Sequence, residues 1–210
     1  ASQCVALSPL LVRRIEVHGR LASGVYAKDL ILAIIRRLGV NGGNGFAYEY
    51  AGSTIDECSM DERMTICNMS IEGGARMGYV NPDATTVAYL RGRRFAPGQR
   101  DFDEATKRWM AFRSEPDAAY ADTVTFVAED VAPTVTWGTH PGQSVAVVER
   151  LPDPCSLAEP DQAGVRDALA GRLAGVIPKA QVHVLTGFAS VARQAAQGAV
   201  VGGNGAAGEA

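Results

Sequence analysis

"RRIEVHGRLASGVYAKDLILAIIRRLGVNGGNGFAYEYAG", residues 13–52, carries the first reading of the fold. Ile15 and Val17 alternate with polar neighbours, which predicts a strand closed by Gly19. Leu30, Ala33, Ile34 and Leu38 then recur on one face of a helix over 27–39, with Gly39 as its stop. "FAYEYAG" (46–52) returns to a strand pattern. The glycines of "NGGNG" (41–45) lie between helix and strand. A phosphate-binding loop needs the opposite order, glycines after a strand and at the start of a helix, so these read as a plain turn.

Outward from this unit the alternation continues. "NPDATTVAYLRGR" (81–93) predicts a short helix with Pro82 in its first turn and Asp83 near its start. "DFDEATKRWMAF" (101–112) is acidic at its front, as the helix dipole prefers, and spaces Phe102, Ala105, Trp109 and Phe112 for one face. "TVTFVAED" (123–130) and "PTVTWGT" (133–139) are rich in β formers. Interleaved strands and helices through about residue 150 predict a layered α/β domain. "LPDPCSLAEPDQ" (151–162), with three prolines, reads as a linker. One strand (180–187) and one Ala-rich helix (189–197) are expected beyond it, before an Ala/Gly-rich tail too poor in side chains to order itself.

The composition is that of a globular protein: 210 residues, 47% hydrophobic, 20% charged, net charge −3 and a pI near 5.6. That charge balance argues against a nucleic-acid binder. Without an apolar run of membrane-spanning length or a basic leader segment, a soluble cytoplasmic protein that is not secreted is expected. The absence of an initiator Met fits a chain that begins within a longer gene. Cys4, Cys58, Cys67 and Cys155 have no metal-site spacing and are expected as reduced thiols, with Cys67 filling core. His18, His140 and His183 are far apart and read as structural or surface residues.

"SMDERMTICNMSIEGGARMG" (59–78) admits two readings. Met60, Met64, Cys67, Ile71 and Ala75 form an apolar helical stripe; Asp61, Thr65, Asn68, Glu72 and Arg76 repeat it one residue further on. The second stripe reads as a solvated flank with Glu72 and Arg76 paired at i, i+4. Against that, Gly73 and Gly74 weaken a helix and point to close backbone packing or an early end, and Asn68 is a mediocre helix former. "NMS" (68–70) matches a glycosylation acceptor, but its setting in a helix argues against that use. "WGTHPGQ" (137–143) is a Trp-anchored turn or a binding loop beside a sheet.

"YEYAGSTI", "SMDERMTICNMSIEGGARMGYVNPD", "TTVAYLRGR" and "VTWGTHPGQ" together resemble the 3-isopropylmalate dehydratase large subunits of the aconitase family, from about Arg14 to Pro154. The resemblance implies a three-layer α/β/α aconitase-like portion over 1–158 and a divergent segment over 159–210. It implies a hydro-lyase that interconverts 2- and 3-isopropylmalate in leucine biosynthesis, with a small subunit as partner and a small 2-hydroxy acid as substrate. It also implies a [4Fe-4S] cluster, held by three cysteines, whose open iron is a Lewis acid. Asn68 and Glu72 match the amide and carboxylate beside the iron-bound oxygen. Homoaconitate-type hydro-lyases share the pattern, and a non-catalytic, partner-binding piece is a further possibility.

The departures are specific. The Gly-Ser-Cys-Thr-Asn and Gly-Cys-x-x-Cys motifs that carry the cluster cysteines are absent, and "VHVLTGFAS" stands where the first is expected. None of the four cysteines occupies a matching place, so the chain alone is expected to hold no cluster and to be inactive. His140 stands where Asn is expected. A truncated or frameshifted reading accounts for the fading likeness beyond about residue 160.

Overall fold

A computed structural model describes residues 8–138, 140–156 and 162–166. Cys4, His183, the expected strand over 180–187, the helix over 189–197 and the Ala/Gly-rich tail lie outside them. The chain divides into two compact units, Ala1–Val131 and Ala132–Ala210.

The first unit is built on a four-stranded parallel sheet of order β3-β2-β1-β4. The strands are β1 (Leu11–His18), β2 (Phe46–Ala51), β3 (Met77–Val80) and β4 (Asp122–Val127). Between them run α1 (Ala27–Leu38), α2 (Ser53–Glu57), α3 (Met60–Met69), α4 (Ala84–Leu90) and α5 (Gln99–Met110). The chain steps outward from β1 through β2 to β3, then crosses back to place β4 on the other side of β1. Right-handed crossovers require connections running in opposite directions to cover opposite faces of a sheet. The expected α/β/α layering follows from that reversal.

Side-chain parity divides the two faces. Ile15 and Val17 of β1, Tyr48 and Tyr50 of β2 and Phe126 of β4 meet Leu30, Ile31, Ile34 and Ile35 of α1, with Ile55 and Ile66 from α2 and α3, in one apolar core. Each such aliphatic side chain contributes roughly 1.5–3 kcal/mol by leaving water. The opposite parity carries Arg14, Glu49 and Tyr79, in register across β1, β2 and β3. Asn81, Ser114 and Tyr120, from the crossover between β3 and β4, bond to Glu49 there.

α1 fits its predicted span, and Gly39 closes it with its N–H on the Ile35 carbonyl. The turn over 41–45 is a turn. α4 starts after the Asp83 cap, leaving Pro82 before the helix. α5 buries Phe102 and Ala105, while Phe112 lies past its end and is exposed.

The stretch 59–78 departs most from expectation. α3 begins with a capping box, in which Ser59 and Glu62 bond reciprocally, and stops at Met69. A single 3-10 turn, Ile71–Gly73, follows, and then β3, which the helical reading of this stretch hid. The buried positions of α3 and its cap are Arg63, Ile66 and Ser70; of the apolar stripe, Ala75 is in the core and Cys67 packs against it, while Met64 is exposed and Ile71 is 63% exposed. Arg63 takes a core slot because every face of its guanidinium is bonded. Nη1 and Nη2 fork onto the Asp83 carboxylate at 2.8 and 2.7 Å, Nε donates to the Cys58 carbonyl and Nη2 also reaches the Asp56 carbonyl. Glu72 and Arg76 do not share a helix, and the i, i+4 pairing lapses with it.

The second unit pairs β5 (Thr134–Thr136) with β6 (Ser144–Ala146), antiparallel. Trp137, Val145 and Val165 form its small apolar cluster, with Val135 and Leu151 against it. The expected linker includes a short 3-10 turn, Pro154–Ser156. No helix among the described residues is long and apolar enough to cross a membrane.

Candidate functional site

Asn68 sits in the last turn of α3 and Glu72 in the 3-10 turn that follows. Both are exposed, and neither side chain is hydrogen-bonded to another described residue. α3 leads back to the start of β3, so the pair lies toward the amino-terminal ends of the strands. Ligands of open α/β sheets usually sit beyond the carboxyl ends; the general rule does not find these residues.

The backbone beneath them is tightly held. The Ser70 carbonyl accepts from the N–H groups of both Gly73 and Ala75, which turns the chain out of α3. Buried Ser70 also donates through Oγ to the Ile66 carbonyl at 3.0 Å and lies 2.7 Å from the Tyr50 hydroxyl, tying the helix end to β2. Burial pushes the Tyr50 hydroxyl well above its ordinary pKa, so it stays a neutral partner.

The turn before β2 closes on the same corner. Gly43 N–H donates to the Gly73 carbonyl at 2.9 Å. A Cβ on Gly43 falls 2.3 Å from the Ala75 nitrogen, and one on Gly74 meets Asn44 Oδ1 at 2.7 Å. Gly74 also has φ +86°, the left-handed region that other residues enter at a cost. Arg13 braces this turn, with Nη1 on the Gly42 carbonyl at 2.8 Å, Nε on Asp122 at 2.7 Å and its guanidinium over the Phe46 ring. The glycine turn and the Gly-Gly pair are one interlocked piece of backbone, on which Glu72 is carried. Both readings that the sequence allowed for Gly73 and Gly74 hold: the backbone packs closely here, and α3 ends early, at Met69.

Sequence reasoning gave no weight to Glu49, which is 0% exposed at the centre of β2. Its Oε1 accepts from Tyr120 at 2.8 Å, Asn81 at 3.0 Å and Arg14 at 3.3 Å, and its Oε2 from Ser114 and from Tyr79 at 3.1 Å. Burial, with Glu49 beside it, pushes the Tyr79 phenol up to about 12. The one signal was an acid flanked by core tyrosines in a strand.

The cysteines do not suit the implied cluster. Cys58 is buried and donates its thiol to the Thr54 carbonyl, and Cys67 is half-buried on α3, packed against the apolar core as expected of it. Burial pushes both thiols up to about 11, which disfavours the thiolates a cluster requires. Cys155 is exposed in the second unit. Among the described residues no group of three His, Cys, Asp or Glu side chains is placed to hold a metal ion.

Residues 1–190 match the aconitase family (aconitate hydratase). The chain belongs to that family. Among its relatives are 3-isopropylmalate dehydratase large subunits, 62% identical in Synechococcus sp. (strain JA-3-3Ab), 59% in Opitutus terrae and 57% in Thermus thermophilus. Each match covers 81% of this chain and 36% of the relative, so the aconitase-family chain spans about a third of the length of these proteins. The fold class and the family resemblance read from the motifs hold.

Proposed function

We propose that this chain is a section of a dehydratase large subunit acting on 2- and 3-isopropylmalate, and that Asn68 and Glu72 are its contribution to the reaction centre. The observation that carries the reading is the 62% identity over 170 residues to a protein named for that activity. The same reading takes residues 1–158 as the aconitase-like portion, 159–210 as a divergent segment, the cytoplasm as the compartment and a small subunit as the partner.

Dehydration of a 2-hydroxy acid needs a proton delivered to the departing hydroxyl and a fixed geometry for it. An exposed carboxyl at Glu72 supplies a group that can hold and pass such a proton. The Asn68 amide offers both a donor and an acceptor to orient the same hydroxyl. The interlocked glycines and the Ser70–Tyr50 contact support the reading by fixing the backbone that carries both side chains. The family's iron–sulfur cluster finds no matching ligands among the described cysteines. The chemistry assigned to this chain is therefore limited to hydrogen bonding and proton transfer.

A graft tests this. Residues 8–131 replace the equivalent stretch of the Synechococcus large subunit, and isopropylmalate dehydration is measured with its small subunit present. The graft is expected to work, and Glu72→Gln and Asn68→Ala within it to lower kcat by about 100-fold or more, the usual scale for losing general acid–base help. An active graft indifferent to both substitutions overturns the assignment.

A further inference from the structure

The excursion between β3 and β4, residues 84–113, packs mainly on itself. α4 buries none of its residues, and α5 buries Phe102 and Ala105, neither of which belongs to the apolar core that α1 forms with the sheet. Phe102 meets Trp109 edge to face with ring centroids 5.6 Å apart, and the Arg91 guanidinium lies over the Phe102 ring at 4.4 Å. Arg93 lies over Tyr89 at 3.9 Å and donates through Nε to the Tyr89 carbonyl. A segment that buries so little apolar surface against its surroundings opens at a lower free energy than the core does.

The two ends of the excursion are tied to one side chain. The Ser114 N–H donates to Asn81 Oδ1 at 3.0 Å, Asn81 Nδ2 donates to Glu49 Oε1 at 3.0 Å, and the Ser114 hydroxyl donates to Glu49 Oε2. Beyond Ser114, Tyr120 also bonds to Glu49, and the Ala121 N–H donates to the Val12 carbonyl, so the return into β4 is fastened to the sheet. At the start of α4 the Arg63 fork holds the Asp83 cap. Hydrogen bonds to a buried carboxylate are strong ones, and here they close the neck of a long loop.

We propose that residues 84–113 open and close as one unit while the four-stranded sheet stays folded, with the Arg63–Asp83 fork as the hinge and Glu49 as the clasp. Opening gives up the Asn81 and Ser114 bonds and admits water to a carboxylate that the closed form keeps from it. Nothing in this depends on the dehydratase reading, since every contact involved lies within the chain.

Native-state amide exchange, read peptide by peptide by mass spectrometry on the full 210-residue chain, tests this. The amides of α4 and α5 should share one urea dependence, shallower than that of α1, because less surface is exposed when the excursion opens than when the molecule unfolds. Ser114→Ala removes a hydrogen bond to a carboxylate and should speed exchange across α4 and α5 by about 10-fold or more. Ile15→Val weakens the core under the sheet and should speed exchange in α1 by roughly 3-fold or more. It should leave α4 and α5 unchanged, because Ile15 stays packed when the excursion opens. Equal acceleration of α1, α4 and α5 by Ile15→Val shows a single cooperative unit and overturns the proposal. Exchange in α4 and α5 that ignores Ser114→Ala overturns it too, since helices that merely fray do not respond to the clasp.

Discussion

Arg63 illustrates how a residue's neighbours decide its role. In sequence it is one charge among many on a helix, and its burial depends on Asp83, twenty positions further on. The pair is bidentate, and the Arg63 guanidinium, aided by the Thr86 N–H, holds the Asp83 carboxyl down at about 2. A depressed carboxyl stabilises the fold above its ordinary pKa near 4 and loses that contribution as pH falls toward 2. The expected loss is about 1–2 kcal/mol after allowance for solvent screening. Urea midpoints measured from pH 5 to pH 2 should fall across that window, and Asp83→Asn should flatten the fall. Arg63→Ala removes the cation and leaves Asp83 and two carbonyls unmatched, at an expected cost of about 3–5 kcal/mol in the same measurement. Glu49 was equally hidden. Its partners come from positions 14, 79, 81, 114 and 120, and local spacing carries no record of them.

The elements divide by how local their signals are. β1, α1, β2 and β4 were legible because apolar alternation or helical spacing lies within each segment, and glycines mark the end of β1 and of α1. α3 misled because two adjacent stripes offered equally regular spacing, whereas Arg63 and Ser70, members of neither, took the core side with Ile66. The end of α3 is written in a backbone requirement, the positive φ of Gly74, together with the Ser70 carbonyl that accepts two N–H groups. Gly74→Ala is expected to cost about 1–2 kcal/mol from the left-handed conformation alone, and more from its contact with Asn44. Thermal melts of that variant against Gly24→Ala test this, since Gly24 also has positive φ but has open space at its Cβ. Equal losses at the two sites would show that the interlocked turn contributes nothing beyond the backbone term. Asn68 and Glu72 rest on the motif alone as proposed site residues, because as side chains they look like any wet helix face.

For the whole molecule, the reversal of strand order joins distant parts of the chain. β1 lies between β2 and β4, and the Glu49 cluster gathers side chains from Arg14 to Tyr120 on one face of that sheet. The Arg63 fork, by contrast, draws together only positions 56 to 83. Loops of such different length close at different times, because the entropy of a long loop is lost before its contacts repay it. On this ground the Arg63 contacts are expected to form early in folding and the Glu49 cluster late. Stopped-flow kinetics on Glu49→Gln should show faster unfolding with refolding nearly unchanged, whereas Asp83→Asn slows refolding. A slowed refolding limb in Glu49→Gln would move the cluster into the nucleus. On this account the buried carboxylate is a late latch: it sets how long a folded molecule stays folded and has little influence on how quickly one forms.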